Sequence, residues 1–572
     1  MSASNAEIAA RFEEIADILE LEQANPFRIR AYRNAARTVQ AFAPEIAALL
    51  AGGGTLPRLP GIGADLAAKI GEIAATGSCA LLQRLRGEVP AELRELLEVA
   101  GLGPRRVARL WHELGVRSAA ELQSAARAGR IRTLHGFGAR SEARLLQATA
   151  QLQRLPQRRL LAEVEPLAER LLALLRAVPG VLEAASAGSL RRRRDTLGDL
   201  DLLVAARPGC AAIARFVAAP EVAEVLAAGR TRASVRLRSG LQVDLRLLAP
   251  PSWGAGLVYL TGSKAHNLEL RRLAQVLGLK ISEYGVYRDG QRIAGASEAS
   301  VYEALGLPWI APELREGRGE LAAARTGALP RLVEPGDLRG DLHAHTRASD
   351  GRDTLEAMAA AARAAGLEYL AITDHSRHMA ITHGLDADAL ARQIEQIDAL
   401  NERLDGLTLL KGIEVDILED GSLDLPDSIL GRLDLVVGAV HGGFGLSRER
   451  QTRRLLRAIE HPHFSILAHP GARLLGARPP LDYDFAALLA GVRQRGCALE
   501  LNAQPQRLDL DDLHCKAARE AGVPIAIGSD AHRTQDFAWL RLGIGQGRRG
   551  WLEARDVLNC RPLAELRRWL KR

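Results

Sequence analysis

Two short stretches of this chain concentrate residue types that bind metal ions. The stretch GDLHAHTRASDG, residues 340–351, holds His343 and His345 two positions apart, followed by Asp350. On a β-strand, side chains two apart project to the same face, so both imidazoles can reach one ion. Nearer the N-terminus, GDLDLL places Asp199 and Asp201 in the same alternating arrangement. The spacing therefore predicts two separate metal sites in one chain.

The first carboxylate pair has a candidate third partner. Asp244, in LQVDLRLL, lies on another predicted strand and can complete a triad with Asp199 and Asp201. Three carboxylates on adjacent strands suit two Mg²⁺ ions, which can activate a 3′-hydroxyl and steady a leaving pyrophosphate. Upstream, AGSLRRRRDTLGD offers a small turn, a hydroxyl and four guanidinium groups, which suits a triphosphate. A surface acidic pair beside a basic loop is the alternative interpretation.

The second cluster extends far beyond its opening motif. Eleven of the 14 histidines lie between 343 and 532, and seven predicted strands run through this region. In a βα barrel the carboxyl ends of the strands converge on one face, so the metal-binding side chains there would gather. One zinc ion takes about four ligands, so nine candidate ligands indicate two or three ions. A degenerate, non-catalytic barrel is the alternative interpretation. The nine are His343, His345, Asp350, His375, Glu414, His441, His469, Asp530 and His532.

Composition and charge describe a multidomain chain with separate charged regions. Its 572 residues exceed one domain, and its net charge is +7. Residues 101–300 carry 31 basic and 17 acidic side chains, whereas residues 301–450 carry 15 and 26, which favours a polyanion on one region and cations on the other. The five cysteines form no CxxC pair, and the sequence shows no signal peptide or membrane span. A cytoplasmic protein that does not bind membranes is expected.

Three glycine turns recur in the predicted helical region 1–150. They are LPGIG at 59–63, VAGLG at 99–103 and LHGFG at 134–138, each followed by a helix-like segment. Such a turn lets the backbone approach a phosphate with amides directed at it. Ordinary helix connections are the alternative. The candidate DNA-binding glycines are Gly61, Gly63, Gly101, Gly103, Gly136 and Gly138.

These motifs resemble known families. GSLRRRRDTLGDLDLL, followed by VDLR and YLTGSKAHNLELR, resembles the family X DNA polymerases, the DNA polymerase beta type. The histidine-rich half resembles the polymerase and histidinol phosphatase (PHP) domain, and the glycine turns resemble helix-hairpin-helix motifs, which grip a nucleic-acid backbone. Together these likenesses cover nearly the whole chain, in the order expected of bacterial family X polymerases.

The resemblance implies a multidomain fold. An all-α helix-hairpin-helix region would precede an α+β nucleotidyltransferase palm with a small C-terminal subdomain, and then an α/β PHP barrel of distorted (βα)7 form. The implied domains are 1–80 (lyase-like, with the first helix-hairpin-helix), 81–157 (helical, DNA-binding), 158–250 (palm), 251–315 (nucleotide and base-pair binding), 316–337 (linker) and 338–572 (PHP phosphoesterase).

The resemblance also implies roles for single residues. Asp199, Asp201 and Asp244 would bind two Mg²⁺ or Mn²⁺ ions, with Asp244 as general base. The nine barrel ligands would hold two or three ions, of Mn²⁺, Zn²⁺ or both. Leu260 and Gln242 depart from the family pattern, which bears on sugar discrimination or fidelity. Residues implied to contact the nucleotide are Ser189, Arg192, Gly198, Tyr259, Gly262, Ser263, Asn267 and Arg271.

A third activity is implied less completely. Lys69 matches the family's Schiff-base lysine, which removes a 5′-deoxyribose phosphate, and Arg28 and Tyr32 match its 5′-phosphate pocket. Asp65 stands where the family has a basic residue. An acid there would repel the phosphate and keep Lys69 protonated. A lysine that only contacts DNA is the alternative.

The expected function is a DNA-directed DNA polymerase that fills short gaps in base excision repair, with a metal-dependent 3′–5′ exonuclease in the barrel. Its partners would be gapped or primed double-stranded DNA and dNTPs, and the protein would be a monomer near the nucleoid. Two alternatives stay open: a DNA-end-binding scaffold with vestigial sites, and an RNA nucleotidyltransferase.

Overall fold

The chain folds as two compact units, residues 1–157 and 158–572, in a computed structural model. The structure describes residues 5–22, 24–42, 46–51, 55–57, 59–89, 93, 96, 102–134, 136–138, 141–146, 158–378 and 382–571. Gly101, one of the predicted DNA-binding glycines, lies outside these residues. Among the residues described, every helix is too short or too polar to cross a bilayer.

The first unit is built from helices, as predicted. Apolar residues at three- to four-residue spacing along α1, among them Phe12 and Ile15, are fully buried. The ring of Phe12 lies 5.6 Å from that of Tyr32 on α2. The helices are α1 (Asn5–Leu21), α2 (Pro26–Ala41), α3 (Ile46–Ala51), α4 (Ala64–Thr76), α5 (Ala80–Glu88), α6 (Pro104–Leu114) and α7 (Ala119–Arg127).

The palm opens the second unit with a five-stranded sheet of order β2-β4-β7-β6-β5. Only β4 and β7 run parallel; the other neighbours are antiparallel. The helices are α8 (Leu161–Arg176), α9 (Gly188–Arg191) and α10 (Ala212–Val217). The strands are β1 (Arg159–Leu160), β2 (Val181–Ser186), β3 (Thr196–Leu197), β4 (Asp199–Ala206), β5 (Val222–Ala228), β6 (Arg232–Leu237) and β7 (Gln242–Leu248).

A smaller subdomain follows, with helices packed on a three-stranded antiparallel sheet of order β10-β9-β8. Its elements are α11 (Trp253–Thr261), α12 (Lys264–Val276), β8 (Lys280–Ser282), β9 (Gly285–Arg288), β10 (Gln291–Ala294) and α13 (Glu298–Glu303).

The segment predicted as a linker, 316–337, is structured and packed. It contains α14 (Glu320–Thr326), and Glu320 is fully buried, with a carboxylate oxygen 2.7 Å from His266 Nδ1. A charged residue at a helix start usually faces solvent, but here the backbone amides of Gly317 and Arg318 also donate to the carboxylate. The segment therefore fastens the small subdomain instead of spacing two domains apart.

The remaining strands form the predicted seven-stranded parallel barrel, in sequential order. Just beyond its first and last strands, Ala344 and Ala531 form a parallel bridge that brings the two edges of the sheet together. There His345 N donates to Ala531 O at 2.8 Å. The strands are β11 (Gly340–Asp341), β12 (Tyr369–Ile372), β13 (Thr408–Asp416), β14 (Leu435–Ala439), β15 (Ile466–Leu467), β16 (Ala498–Asn502) and β17 (Ile525–Gly528). The helices are α15 (Leu355–Ala364), α16 (Ala387–Asn401), α17 (Asp427–Leu430), α18 (Arg448–Ile459), α19 (Phe485–Arg495), α20 (Asp512–Glu520), α21 (Leu540–Arg549) and α22 (Leu563–Leu570).

Candidate active sites

The three palm carboxylates lie on the two parallel strands of the sheet. In the register of β4 and β7, Asp201 is directly opposite Asp244, and Asp199 is opposite Gln242. Asp199 and Asp201 project to one face because they are two residues apart on β4. Beyond Asp201, Leu202 and Leu203 are both fully buried on opposite faces of β4, so the strand is anchored where the carboxylates end. The sheet thus brings the predicted triad together.

Asp201 sits in a setting that disfavours its negative charge. Burial and the neighbouring carboxylates of Asp199 and Asp244 raise the pKa of Asp201 to about 7. Gly188, with a φ of +57°, leaves the space that this carboxylate fills, because a Cβ there would collide with Asp201 Oδ2. Divalent cations would supply the missing positive charge, and a carboxylate triad is the donor set that Mg²⁺ and Mn²⁺ prefer. The residues present fit such ions.

Asp244 is held in place within the palm. It accepts hydrogen bonds from Ser234 Oγ and, at 2.9 Å, from Gln242 Nε2. Gln242 was singled out as a departure from the family pattern, and the structure gives it a function: its amide orients Asp244. Neither partner is positively charged, so the carboxylate keeps its charge available for a cation.

The four consecutive arginines beside the triad are each engaged with a glutamate. The ion pairs are Arg191–Glu298 at 2.6 Å, Arg192–Glu316 at 3.0 Å, Arg193–Glu165, and Arg194–Glu316 at 3.7 Å. Arg192, the predicted phosphate contact, also donates to the backbone oxygen of Thr261, which precedes Gly262. Ser189 lies in α9 and Gly198 between β3 and β4, so the three predicted phosphate contacts belong to one loop region.

The other predicted nucleotide contacts lie on α11 and α12 and on the turn that joins these helices. The guanidinium of Arg271 lies 5.5 Å from the centre of the Tyr259 ring, and Asn267 Nδ2 donates to Tyr259 O at 2.8 Å. Ser263 caps the N-terminus of α12 by accepting from His266 N at 3.3 Å. Tyr259, Asn267 and Arg271 thus form one connected group, in which Ser263 serves the helix.

The barrel gathers its predicted ligands at the carboxyl ends of the strands. Within the described residues, three groups have ligand atoms that all lie within 4.8 Å of one another. His469 stands beside them, with Nε2 3.0 Å from Glu414 Oε1. The groups are His345–Asp350–His375–His532, His343–His345–Asp530 and His375–Glu414–His441. Shared members join the groups, which suits two or three bridged cations.

Several buried ligand atoms in this cluster make no aligned hydrogen bond among the described residues: His343 Nε2, both ring nitrogens of His345, Glu414 Oε2 and His469 Nδ1. Three of them lie near a partner, since His345 Nε2 is 3.0 Å from Asp530, Glu414 Oε2 is 2.8 Å from His375 Nδ1, and His343 Nε2 is 3.5 Å from Glu414. His345 Nδ1 and His469 Nδ1 have no such contact among the described residues, and burying an unpaired polar atom costs about 1–3 kcal/mol, so the cluster needs a further partner. Metal coordination supplies it, because imidazole and carboxylate are the ligands of Zn²⁺ and Mn²⁺ sites. The residues present fit the metal ions that a PHP barrel implies.

Two carboxylates that the sequence analysis did not single out orient the histidines. Glu500 Oε1 lies 2.6 Å from His343 Nδ1, and Asp416 Oδ1 lies 2.7 Å from His441 Nδ1. Each contact leaves Nε2 of the histidine for the cluster. Glu500 lies within the buried strand β16 and Asp416 at the end of the buried strand β13, a partial signal that does not show which histidine each one meets.

Charges in the cluster compensate each other. Although burial opposes it, several histidines hold the pKa of Glu414 well below its usual range. Burial likewise opposes the charged form of His441, but Glu414 and Asp416 raise its pKa to about 9. Arg507, which the sequence did not indicate, lies 3.9 Å from Asp530. Its guanidinium adds a second cationic group to the cluster, besides His441. An anionic substrate would find positive charge here.

The glycine turns of the first unit stand at helix N-termini, as the repeat predicts. Gly63 and Gly103 immediately precede α4 and α6, and Gly61 and Gly136 adopt positive φ angles. Gly138 N donates to Ser141 Oγ at 2.7 Å, in the turn before the helical residues 141–146. In these turns, backbone amides at the start of a helix are oriented toward an approaching anion.

Lys69 lies in a pocket of about 750 Å³ that is bounded by α2, α4 and α5 and that Arg28 and Tyr32 also line. Its ammonium group donates a hydrogen bond to Asp65. Burial alone would lower the pKa of Lys69, but the contact with Asp65 raises it above its ordinary value. The three residues implied by the resemblance are therefore together, and Asp65 opposes the neutral amine.

Comparison with family models matches four parts of the chain. A helix-hairpin-helix domain matches residues 3–79, and a SAM-like helix-hairpin-helix tandem matches 93–150. The DNA polymerase beta thumb matches 256–316, and the PHP domain matches 341–503.

Curated relatives resemble either the whole chain or one part of it. The DNA polymerase/3′-5′ exonuclease PolX of Bacillus subtilis (strain 168) is 36% identical over 570 residues, covering 99% of both chains. A probable phosphatase of Thermoanaerobacter sp. (strain X514) is 33% identical over 242 residues, which is 40% of this chain and 94% of the relative. Another, from Syntrophotalea carbinolica, is 34% identical over 208 residues, 35% of this chain and 82% of the relative.

The fold and its sites define a nucleotidyltransferase of the polymerase beta type joined to a metal-dependent phosphoesterase barrel. Carboxylates on paired palm strands, a beta-type thumb and a histidine-lined barrel occur in one chain. The chain belongs to the family X DNA polymerases that carry a C-terminal PHP domain. The family resemblance and the fold class predicted from sequence are confirmed.

Proposed function

We propose that this protein is a DNA-directed DNA polymerase that fills short gaps during base excision repair, and that its barrel is a 3′–5′ exonuclease. The observation that carries the polymerase assignment is the placement of Asp199, Asp201 and Asp244 on neighbouring parallel strands. These strands lie beside the four consecutive arginines, residues 191–194, which we call the arginine loop. The B. subtilis relative, named as a DNA polymerase and 3′-5′ exonuclease, supports both halves.

In the polymerase reaction, the palm residues hold charge in place. Two bound Mg²⁺ or Mn²⁺ ions would lower the pKa of a primer 3′-hydroxyl and neutralise the leaving pyrophosphate. Asp199, Asp201 and Asp244 would hold these ions, and Asp244 would also accept the hydroxyl proton as general base. Ser189, Arg192 and Gly198 bind the triphosphate. Tyr259 and Arg271 pack against the sugar and the nascent base pair.

In the barrel, the histidines and carboxylates position the phosphodiester to be cut. Two or three Mn²⁺ or Zn²⁺ ions would generate hydroxide near neutral pH and polarise the phosphate. Glu500 and Asp416 keep the imidazoles in the tautomer that presents Nε2. Arg507 at the rim attracts the anionic strand.

One gel tests the proposal. A duplex with a one-nucleotide gap and a 5′-labelled primer is incubated with and without dNTPs, in Mg²⁺ and in Mn²⁺. Template-directed extension with dNTPs and 3′ shortening without them are the expected results. Addition that ignores the template base would indicate an untemplated nucleotidyltransferase, and binding with neither reaction would indicate a scaffold.

A 5′-phosphate on the downstream strand should accelerate gap filling several-fold. Arg28, Tyr32 and Lys69 line one pocket, and a guanidinium beside an ammonium suits a phosphate dianion. The measurement is single-nucleotide insertion on gaps with and without that phosphate. Arg28→Ala should erase the difference. Arg30→Ala is the matched control, because Arg30 lies on the same helix and stacks on Phe27, outside the pocket. Equal rates on both gaps in the unaltered protein would contradict the pocket assignment.

The same pocket supports a second candidate function, removal of a 5′-deoxyribose phosphate by a Schiff base at Lys69. Borohydride should trap a covalent adduct with an incised abasic site, weakly at neutral pH because Asp65 raises the pKa of the amine. Asp65→Asn lowers that pKa, so it should increase trapping several-fold. Lys69 is the only lysine in residues 1–157, so proteolysis locates the adduct.

Lys69→Ala is the control for this prediction and should abolish trapping while extension continues. If neither the unaltered protein nor Asp65→Asn forms an adduct, Lys69 is a DNA contact alone.

A further inference from the structure

A buried arginine of the barrel reaches the nucleotide-binding loop of the palm. Arg549, at the end of α21, is 2% exposed. Its guanidinium donates to the backbone oxygen of Arg192 at 2.7 Å, to Glu316 Oε1 at 2.8 Å and to Asp512 Oδ2 at 2.5 Å. Three acceptors from three separate parts of the chain therefore converge on one side chain.

The same glutamate oxygen is shared with the predicted phosphate contact. Arg192 Nε donates to Glu316 Oε1 at 3.0 Å, so this oxygen accepts from both Arg192 and Arg549. Glu316 is 9% exposed, and a carboxylate so buried needs compensating charge. The two guanidiniums lower the pKa of Glu316, against the effect of burial.

We propose that Arg549 is a positioning residue of the polymerase site: the PHP barrel uses it to hold the arginine loop and to share Glu316, so that Arg192 can turn to the triphosphate of an incoming nucleotide. The inference rests on the proposed role of Arg192. It makes nucleotide binding in the palm depend on a residue of the barrel that touches neither metal site.

Two effects of Arg549 act in the same direction. Its hydrogen bond to the Arg192 carbonyl fixes the backbone of the loop that also carries Ser189. Its charge, at 2.8 Å and nearer than that of Arg194 at 3.7 Å, leaves Glu316 compensated when Arg192 moves to the phosphates, so Arg192 leaves without stranding a buried anion. Without Arg549, Glu316 would retain Arg192 and the loop would lose an anchor. Both changes weaken nucleotide binding, and neither touches the carboxylates that perform the chemistry.

The test uses the full-length protein with Arg549→Met. Single-nucleotide insertion on gapped DNA should show KM for the dNTP raised about tenfold, within the range of site-to-site couplings, with kcat within about twofold. Exonuclease activity on a 3′-labelled strand should stay unchanged and reports that the barrel is folded. Arg549→Lys should raise KM less, because an ammonium keeps the charge but cannot span three acceptors.

Arg548→Met is the matched control. Arg548 lies next to Arg549 on the same helix and pairs with Glu313 at 2.8 Å and with the Val333 carbonyl, and among the described residues it hydrogen-bonds to neither Arg192 nor Glu316. Its loss should leave KM for the dNTP unchanged. Adding Glu316→Gln to Arg549→Met should bring KM back toward the starting value, because the charge that retains Arg192 is removed. A purely structural role for Arg549 gives no such rescue.

The outcomes separate this inference from the proposed function. If Arg192→Met leaves KM for the dNTP unchanged, Arg192 is not a phosphate contact, and the proposed function fails at that residue. If Arg192→Met raises KM while Arg549→Met does not, only the role of Arg549 is overturned. If Arg549→Met misfolds and so loses exonuclease activity, Arg549→Lys and Asp512→Asn are measured in its place. A normal KM for the dNTP in both of these variants overturns the inference.

Discussion

Asp201→Asn should abolish nucleotide addition, with a loss of about a thousandfold or more, and leave DNA binding nearly intact. Asp201 lies opposite Asp244, and its replacement would remove a charged ligand from the cations that the three palm carboxylates would hold. Under the proposed function, DNA affinity would come from backbone contacts of the helix-hairpin-helix turns, which the substitution does not touch. Primer extension and a gel-shift titration on the same gapped duplex measure the two properties.

Glu224→Gln is the matched control for Asp201→Asn. Glu224 is a carboxylate of the same sheet, but it lies on β5 and pairs with Arg236 at 3.4 Å. Extension should remain normal in this variant. Loss of DNA binding in parallel with loss of extension in Asp201→Asn would refute the assignment of Asp201 as a metal ligand.

His343→Ala combined with His345→Ala should remove 3′–5′ degradation and spare templated extension. The two imidazoles contribute to two of the three ligand groups, and both are buried at the seam of the barrel. With both gone, His375, Glu414 and His441 remain the only intact group within the described residues. Extension should persist because Arg549, the barrel residue that donates to the backbone of Arg192, lies on a different element.

The chain offers a control with identical spacing. His461 and His463 are also two residues apart in the barrel, but they lie outside the ligand groups, and His461 pairs with Asp427 at 3.0 Å. Alanine at both positions should leave degradation unchanged. Shortening of a 3′-terminal strand by the His343/His345 variant at the normal rate would mean that another site cuts the DNA.

Much of the fold was predictable because local pattern and final structure agree. Six of the seven predicted barrel strands are short apolar runs that carry or end in a histidine or an acid, and buried parallel strands are typically such apolar runs. Strand β5 was not predicted: its sequence, VAEVLAA, is rich in helix-forming residues. Pairing with β6 outweighs that preference, since Val225 pairs with Val235 on a strand whose other neighbour is β7.

The metal-binding candidates were predictable because period-two spacing brings side chains of one strand to one face. The supporting residues were not, because their partners are distant in sequence. Glu500 meets His343 across 157 residues, and nothing local marks either as the partner of the other. The arginine loop is the instructive case. Its charges suggested a triphosphate alone, whereas the structure pairs every one of them with a glutamate of the folded unit.

The contact between Arg549 and the arginine loop has a consequence for the order in which the two sites are completed during protein synthesis. The two residues are separated by 357 positions, so the palm emerges long before its barrel anchor is made. At about 5–20 residues per second, that interval is roughly 20 to 70 s. During it, Glu316 has Arg192 but lacks Arg549, and the last metal ligand of the barrel, His532, arrives only shortly before that anchor. A chain that stops before residue 532 therefore holds neither a finished polymerase site nor a finished nuclease site, and the two sites are completed almost together, within residues 532–549.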